Sequence, residues 1–145
     1  MGELVESFMD LKVYKKAFEL QQEIFIITKK FPREEIYSLT DQIRRSSRSI
    51  GANIAEAWKK RRYTALFVSK LADSDGEQAE TLHWLKTSIA CHYITEEEYI
   101  MLSKKCSEIG RMLGKMISEP DKWCQHQDKR KINPNFNSQL SNKSG

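Results

Sequence analysis

Three groups of side chains in this 145-residue sequence could do chemistry. Glu80-Thr-Leu-His83 has the Glu-x-x-His spacing with which helical bundles hold a di-metal centre. Cys91-His92 and Cys124-Gln-His126 each put a thiol and an imidazole within reach of one ion. The run DQIRRSSRSIGANIAEAWKKRR, from Asp41 to Arg62, carries seven cations that could meet phosphates. The first two groups lack what their chemistry demands. A di-metal bundle needs Glu-x-x-His on two helices, and there is one copy here. Zinc sites normally use two spaced ligand pairs, which three cysteines with no Cys-x-x-Cys spacing do not supply. No glycine-rich phosphate loop or nucleophile elbow occurs, and His83, His92 and His126 are isolated. The sequence therefore predicts no enzyme, no metal, no cofactor and no small-molecule substrate.

The basic run remains. It holds seven basic and two acidic residues, a local excess of +5 in a chain whose total is +4. Ile43, Ser47, Ile50, Ile54 and Ala57 share one face of a helix. At 100° per residue Arg45, Arg48, Glu56 and Lys59 then point away from that face, with Arg44 and Asn53 flanking it. Lys59, Lys60, Arg61 and Arg62 close the helix at its carboxyl end, where the macrodipole favours cations. Arg44, Arg45, Arg48, Lys59, Lys60, Arg61 and Arg62 are the candidate phosphate-binding residues. The competing expectation is ion pairing: the following segment carries Asp73, Asp75, Glu77 and Glu80, and Arg44 or Arg48 could pair with Glu77 or Glu80 within a chain or between subunits. Asn53, Glu56, Glu77 and Glu80 are the candidates for such a structural or interface role. Trp58 and Tyr63 are the rings beside the run in the sequence, and Trp58 reads as packing rather than a platform for bases.

The elements that must position this run are helical. Three prolines, six glycines, 39% apolar and 30% charged residues, and long amphipathic stretches predict an all-α protein with a core that needs no staples. The patterning gives four helices over about 10–30, 37–61, 64–91 and 95–117, a bundle spanning 1–123, and a disordered polar tail over 124–145 that contains Lys129-Arg-Lys131. Val13, Ala17, Leu20, Ile24, Ile27 and Phe31 form the first seam, and a second stripe of Leu11, Tyr14, Phe18 and Phe25 lies beside it. Pro32 ends the first helix. In the third helix Phe67, Leu71, Leu82, Leu85 and Ile89 share a face that Ser74 and Gln78 interrupt. Thr95-Glu-Glu-Glu98 has the form of a capping box for the fourth, whose Tyr99, Leu102, Cys106, Ile109, Leu113 and Met116 keep heptad spacing. No apolar run is long enough to span a membrane, no basic-then-apolar leader is present, and an odd number of cysteines suits a reducing compartment; a cytoplasmic location and no membrane partner are expected.

Leu11-Lys-Val-Tyr-Lys-Lys-Ala17, Phe31-Pro, Tyr37-Ser-Leu-Thr-Asp-Gln-Ile-Arg-Arg45, Ser49-Ile50 and Asn53-Ile-Ala-Glu56 resemble the four-helix-bundle proteins named for reading frames in intervening sequences of large-subunit ribosomal RNA. Ser69-Lys-Leu71, Glu80-Thr81 and Trp84-Leu85 resemble the third helix of one branch. The resemblance implies an up-down four-helix bundle and a ring-like homo-oligomer, in several members a pentamer. A related accessory variability protein of retroelements joins a reverse transcriptase and has a basic surface suited to nucleic acid. RNA, DNA or a reverse-transcriptase-like protein are thus the implied partners besides a second copy of the chain. Arg44, Arg45, Asn53 and Glu56 are the positions onto which the family pattern carries over. The sequence departs from it at Ala57, where glycine is usual, and its Asp73-Ser-Asp-Gly-Glu77 stretch differs from the retroelement proteins.

Overall fold

Each of the four amphipathic stretches carries one buried seam and no interior proline, and each forms a helix. The structure, a computed structural model, describes residues 4–124. Its helices are α1 (Lys12–Thr28), α2 (Asp41–Lys59), α3 (Thr64–Ala90) and α4 (Glu96–Ser118), and no strand occurs among the described residues. α1 packs on α2 and α4, and α3 packs on the same two. With short connections between neighbours this is an up-down four-helix bundle, the α2–α3 contact being the most extensive. Leu20, Ile24, Ile50, Ile54, Phe67, Leu71, Leu102 and Ile109 fill its axis, each removed from water. Burial of side chains of this size stabilises by about 1.5–3 kcal/mol apiece.

The helix ends follow local chemistry. Ser7 and Asp10 brace the turn Phe8–Asp10 ahead of α1: Ser7 Oγ accepts from the Met9 amide, and Asp10 Oδ2 accepts from the amides of Glu6 and Ser7. α1 stops at Thr28, and a turn at Lys29 and Lys30 leads to Pro32. A single turn at Arg33–Glu35 and a wide π turn at Ile36–Thr40 follow, which carry Leu39 and Thr40 into the interior. That is why α2 begins at Asp41 and not at the expected 37. The Thr95–Glu98 capping box forms as its spacing predicts: Thr95 Oγ1 accepts from the Glu98 amide at 3.0 Å, and Glu98 Oε1 accepts from the Thr95 amide at 2.9 Å. Past α4, a turn at Pro120–Lys122 returns Trp123 and Cys124 to the core, so Cys124 belongs to the packed chain and not to the polar tail. The expected tail over 125–145, with Lys129-Arg-Lys131, lies outside the described residues.

One sequence expectation for α3 is corrected. Its buried face runs Phe67, Leu71, Ser74, Gln78, Thr81, Leu85, Ser88, an unbroken four-three repeat. Ser74 and Gln78 continue the seam rather than interrupting it, while Leu82 and Ile89 sit at its edge, half-buried. The small polar groups are tolerated because they are bonded: Ser74 Oγ donates to the Ile50 carbonyl at 2.8 Å, and the Ser46 and Thr81 hydroxyls meet at 2.9 Å. Opposite them α2 presents the buried Ser46, while the buried Gly51 lets Tyr14 of α1 approach closely on the other flank.

Three positions work against backbone preference. His92, just past α3, adopts φ 62, and the Tyr93 amide reaches back to the Ser88 carbonyl at 2.9 Å. This is the left-handed end of a Schellman motif, where glycine is free of strain. Gly76 and Gly114 stand inside α3 and α4 with open space where a Cβ would project. His92→Gly, Gly76→Ala and Gly114→Ala should each raise stability by about 0.5–1 kcal/mol, read from urea unfolding midpoints at unchanged slope.

The cap also has a pH signature. Hydrogen bonding to the Thr95 backbone, with Lys30 contributing further, holds the Glu98 carboxyl below its ordinary 4.5. A carboxyl lowered by folding stabilises fully above its unfolded value and loses that contribution as pH falls through the folded one. Below pH 4.5 the protein should therefore lose stability faster than a Glu98→Gln variant, which keeps a capping amide but has no titrating charge. Thermal midpoints across the acid range measure this.

Candidate nucleic-acid interface

The rotation of α2 sorts the arginines that the sequence places on it. Ile43, Ser47, Ile50, Ile54 and Ala57 are buried as the pattern requires, together with Ser46, Gly51 and Trp58. Arg45, Asn53 and Glu56 then lie on the flank towards α3, and Arg44 and Arg48 on the flank towards α1.

On the α3 side the charges are matched. The Arg45 guanidinium bridges Glu77, at 3.3 Å, and Glu80. Glu56 pairs with Lys70 Nζ at 2.8 Å, which lowers the Glu56 pKa and raises that of Lys70. Asn53 Nδ2 donates to the Ser49 carbonyl of its own helix at 2.9 Å. The expected pairing of Arg44 or Arg48 with Glu77 or Glu80 is thus corrected: these two arginines face the opposite flank, and Arg45 takes both carboxylates.

On the α1 side the charges converge without an ion pair to a described residue. Arg44 Nε donates to Thr28 Oγ1 at 2.8 Å, and the Thr28 hydroxyl donates in turn to the Ile24 carbonyl at 2.7 Å. The Arg44 guanidinium lies 4.8 Å from the Phe25 ring centre, Lys29 Nζ also at 4.8 Å, and the Arg48 guanidinium at 5.5 Å. Cation–π attraction, about 0.5–1 kcal/mol each at an exposed site, offsets part of the mutual repulsion of these charges. Asp41 lines the same outer face but forms no ion pair with a described residue.

The carboxyl-terminal group divides too. Arg61 stacks on Trp58, its guanidinium 3.5 Å from the ring centre and its Nε donating to the Trp58 carbonyl at 2.8 Å. Burial lowers the Arg61 pKa, yet a guanidinium stays charged at any physiological pH. Arg61 therefore closes the helix end, while Lys59, Lys60 and Arg62 are exposed. Trp58 is 6% exposed, a packing residue. Arg48 and Lys59, eleven residues apart, stand about 16 Å from each other along one outer face, with Ala52 between them.

Phe25, Thr28, Lys29 and Lys70 complete these arrangements, and nothing in the sequence singles them out for chemistry. Phe25 is visible there only as part of the second apolar stripe of α1. Among the described residues no three His, Cys, Asp or Glu side chains converge as a metal site would require, and no helix is long and apolar enough to cross a membrane. Cys106 is sealed in the core, where burial pushes its thiol up to about 12.

The sequence matches the family of the 23S rRNA-intervening sequence protein over residues 9–115. A crystal structure of a protein with unknown function from the S23 ribosomal protein family of Bacteroides thetaiotaomicron is 34% identical, covers 73% of this chain and 95% of its own, and superposes with a TM-score of 0.67. No curated protein is significantly similar.

The asymmetry of the two flanks is testable on the protein alone. Arg45→Gln should cost about 0.2–1 kcal/mol of stability, the range for partly exposed ion pairs, and that cost should shrink in high salt. Arg48→Gln, which breaks no ion pair, should stay within about 0.5 kcal/mol of the parent. Chemical denaturation at low and high ionic strength distinguishes the two.

Proposed function

The chain belongs to the 23S rRNA-intervening sequence protein family, and we propose that it is a non-enzymatic, cytoplasmic homo-oligomer, a pentameric ring, that binds nucleic acid through the basic outer face of α2. The observation that carries this is the distribution of partners: of the basic residues on α2, Arg45 alone meets described carboxylates, and Arg44, Arg48 and Lys59, with Lys60 just beyond, do not. Cations left free beside one another repel, and phosphates relieve that repulsion by releasing condensed counterions. A single such helix binds phosphate weakly. Repetition around a ring would let several copies engage one strand at once and raise avidity without any new contact.

The alternative is a scaffold in which these arginines make subunit salt bridges and no nucleic acid binds. The acids nearest α2 are not free for it, since Glu56, Glu77 and Glu80 are engaged by Lys70 and Arg45 of the same chain. It would have to draw on exposed acids elsewhere, such as Glu34, Glu96 and Glu97. A nucleic-acid enzyme, such as a reverse-transcriptase-like protein, could share the bound strand rather than compete for this surface.

Titration with fluorescent RNA and DNA at several salt concentrations, with the mass in solution recorded, tests the proposal. Affinity should fall steeply with salt. Arg44→Gln combined with Arg48→Gln should weaken binding and reduce the salt slope by about two, one for each phosphate that is no longer neutralised, at unchanged mass. Arg45→Gln should leave the slope nearly as it was. Absence of binding at low salt would transfer the role to protein contacts.

A further inference from the structure

We propose that the flank where α1 meets α2 is a seat for an unpaired nucleic-acid strand, with a base on Phe18 and phosphates on Lys29, Arg44 and Arg48. This rests on the nucleic-acid function above and narrows it to single strands.

Tyr14, Phe18 and Phe25 recur at intervals of four and seven along α1, which places them on one flank of the helix. Their surroundings give them different tasks. Phe8 meets the Tyr14 ring edge-on at 5.0 Å, and Tyr14 stacks on Phe18 at 6.2 Å with 23° between the planes. Tyr14 is also held from the α2 side, where a Cβ on Gly51 would lie 3.4 Å from its ring. Phe18, at the end of this braced row, is 46% exposed. Phe25, two turns further along, is half-buried, and Lys29, Arg44 and Arg48 gather around it. An exposed ring fixed by its neighbours thus stands about 10 Å along the helix from a cluster of cations.

Charge and shape together select the occupant. The cations have no described carboxylate partner, so the flank favours an anionic ligand. An exposed aromatic face favours a flat π-system next to that anion. A duplex offers phosphates but keeps its bases stacked inside, so Phe18 gains nothing from it. An unpaired strand offers both, and a base stacked on an aromatic ring contributes enough that removal of the ring weakens binding about tenfold.

The test compares a labelled single-stranded RNA of about 16 nucleotides with the duplex of the same sequence, using the full chain and recording its mass in solution. Phe18→Leu keeps apolar bulk and removes the stacking face; Phe18→Trp restores one. The parent should bind the single strand more tightly than the duplex. Phe18→Leu should lose about tenfold for the single strand only, Phe18→Trp should recover it, and neither should change the mass. Equal binding of both forms, indifferent to Phe18 but abolished in Arg44→Gln with Arg48→Gln, would overturn the single-strand seat and leave charge-led binding intact. No binding of either form would overturn both. A changed mass in Phe18→Leu would show that a second copy of the chain occupies this flank, which also overturns the proposal.

Discussion

The position of every charge on α2 depends on the polar seam between α2 and α3. An apolar interface tolerates small rotations, since greasy side chains repack with little directional preference. The hydroxyl contact of Ser46 with Thr81 and the bond from Ser74 to the Ile50 carbonyl do not. Both are buried, and a slip would break them. The Ser46 and Thr81 hydroxyls would fall back on carbonyls of their own helices, whereas Ser74 would lose its bond, at a penalty of about 1–3 kcal/mol where no other partner is found. The seam therefore fixes the angular setting of α2. One residue of rotation, 100°, separates Arg44 from Arg45 and decides that the first meets the aromatic flank of α1 and the second the acids of α3.

That setting divides the basic helix into a neutralised flank and an unneutralised one. Arg45, Glu77 and Glu80, with Glu56 and Lys70, behave as an ordinary bundle surface whose pairs contribute little individually. The other flank is less usual. Arg44 is positioned by a buried threonine, and the Phe25 face draws Lys29 and Arg48 alongside it. Nothing in the stability of the isolated chain requires three cations to share one ring. Ring and hydroxyl hold the charges in a fixed array, which lowers the entropy that a bound phosphate chain would otherwise have to remove.

Most of the fold is legible in the sequence because it rests on periodicity. The heptads of α4 and its capping box involve residues close in sequence, where spacing alone implies geometry. Pro32 marks the break after α1, although the helix itself ends four residues earlier, at Thr28. The α3 seam is harder to read because apolar type and burial diverge there: Thr81 and Ser88 are inside while Leu82 is at the edge, since hydrophobicity cannot register a hydroxyl satisfied by a helix carbonyl. The late start of α2 reflects the π turn at Ile36–Thr40, whose composition carries no breaker. The charges of the site are visible as a run, but their partners are not. Sign alone predicts pairing, and it points to Arg44 or Arg48 as readily as to Arg45, because the rotation of α2 against its neighbours is a tertiary property.

The second stripe of α1 bears on the same point. Its extra apolar width suggests a further contact surface, and Leu11 is indeed buried, with Tyr14 and Phe25 half-covered. A stripe meant only for the core would end in side chains that the bundle encloses. This one ends in Phe18, with nearly half its surface in water, and in a ring whose neighbours are cations rather than hydrocarbon. Exposed aromatic surface beside unpaired guanidinium groups is rewarded only weakly by the folding of one chain, because cation–π attraction to the ring is offset by repulsion among the charges. A flat anionic ligand would engage both features at once, stacking on the ring and neutralising the charges that α1 and α2 set beside it.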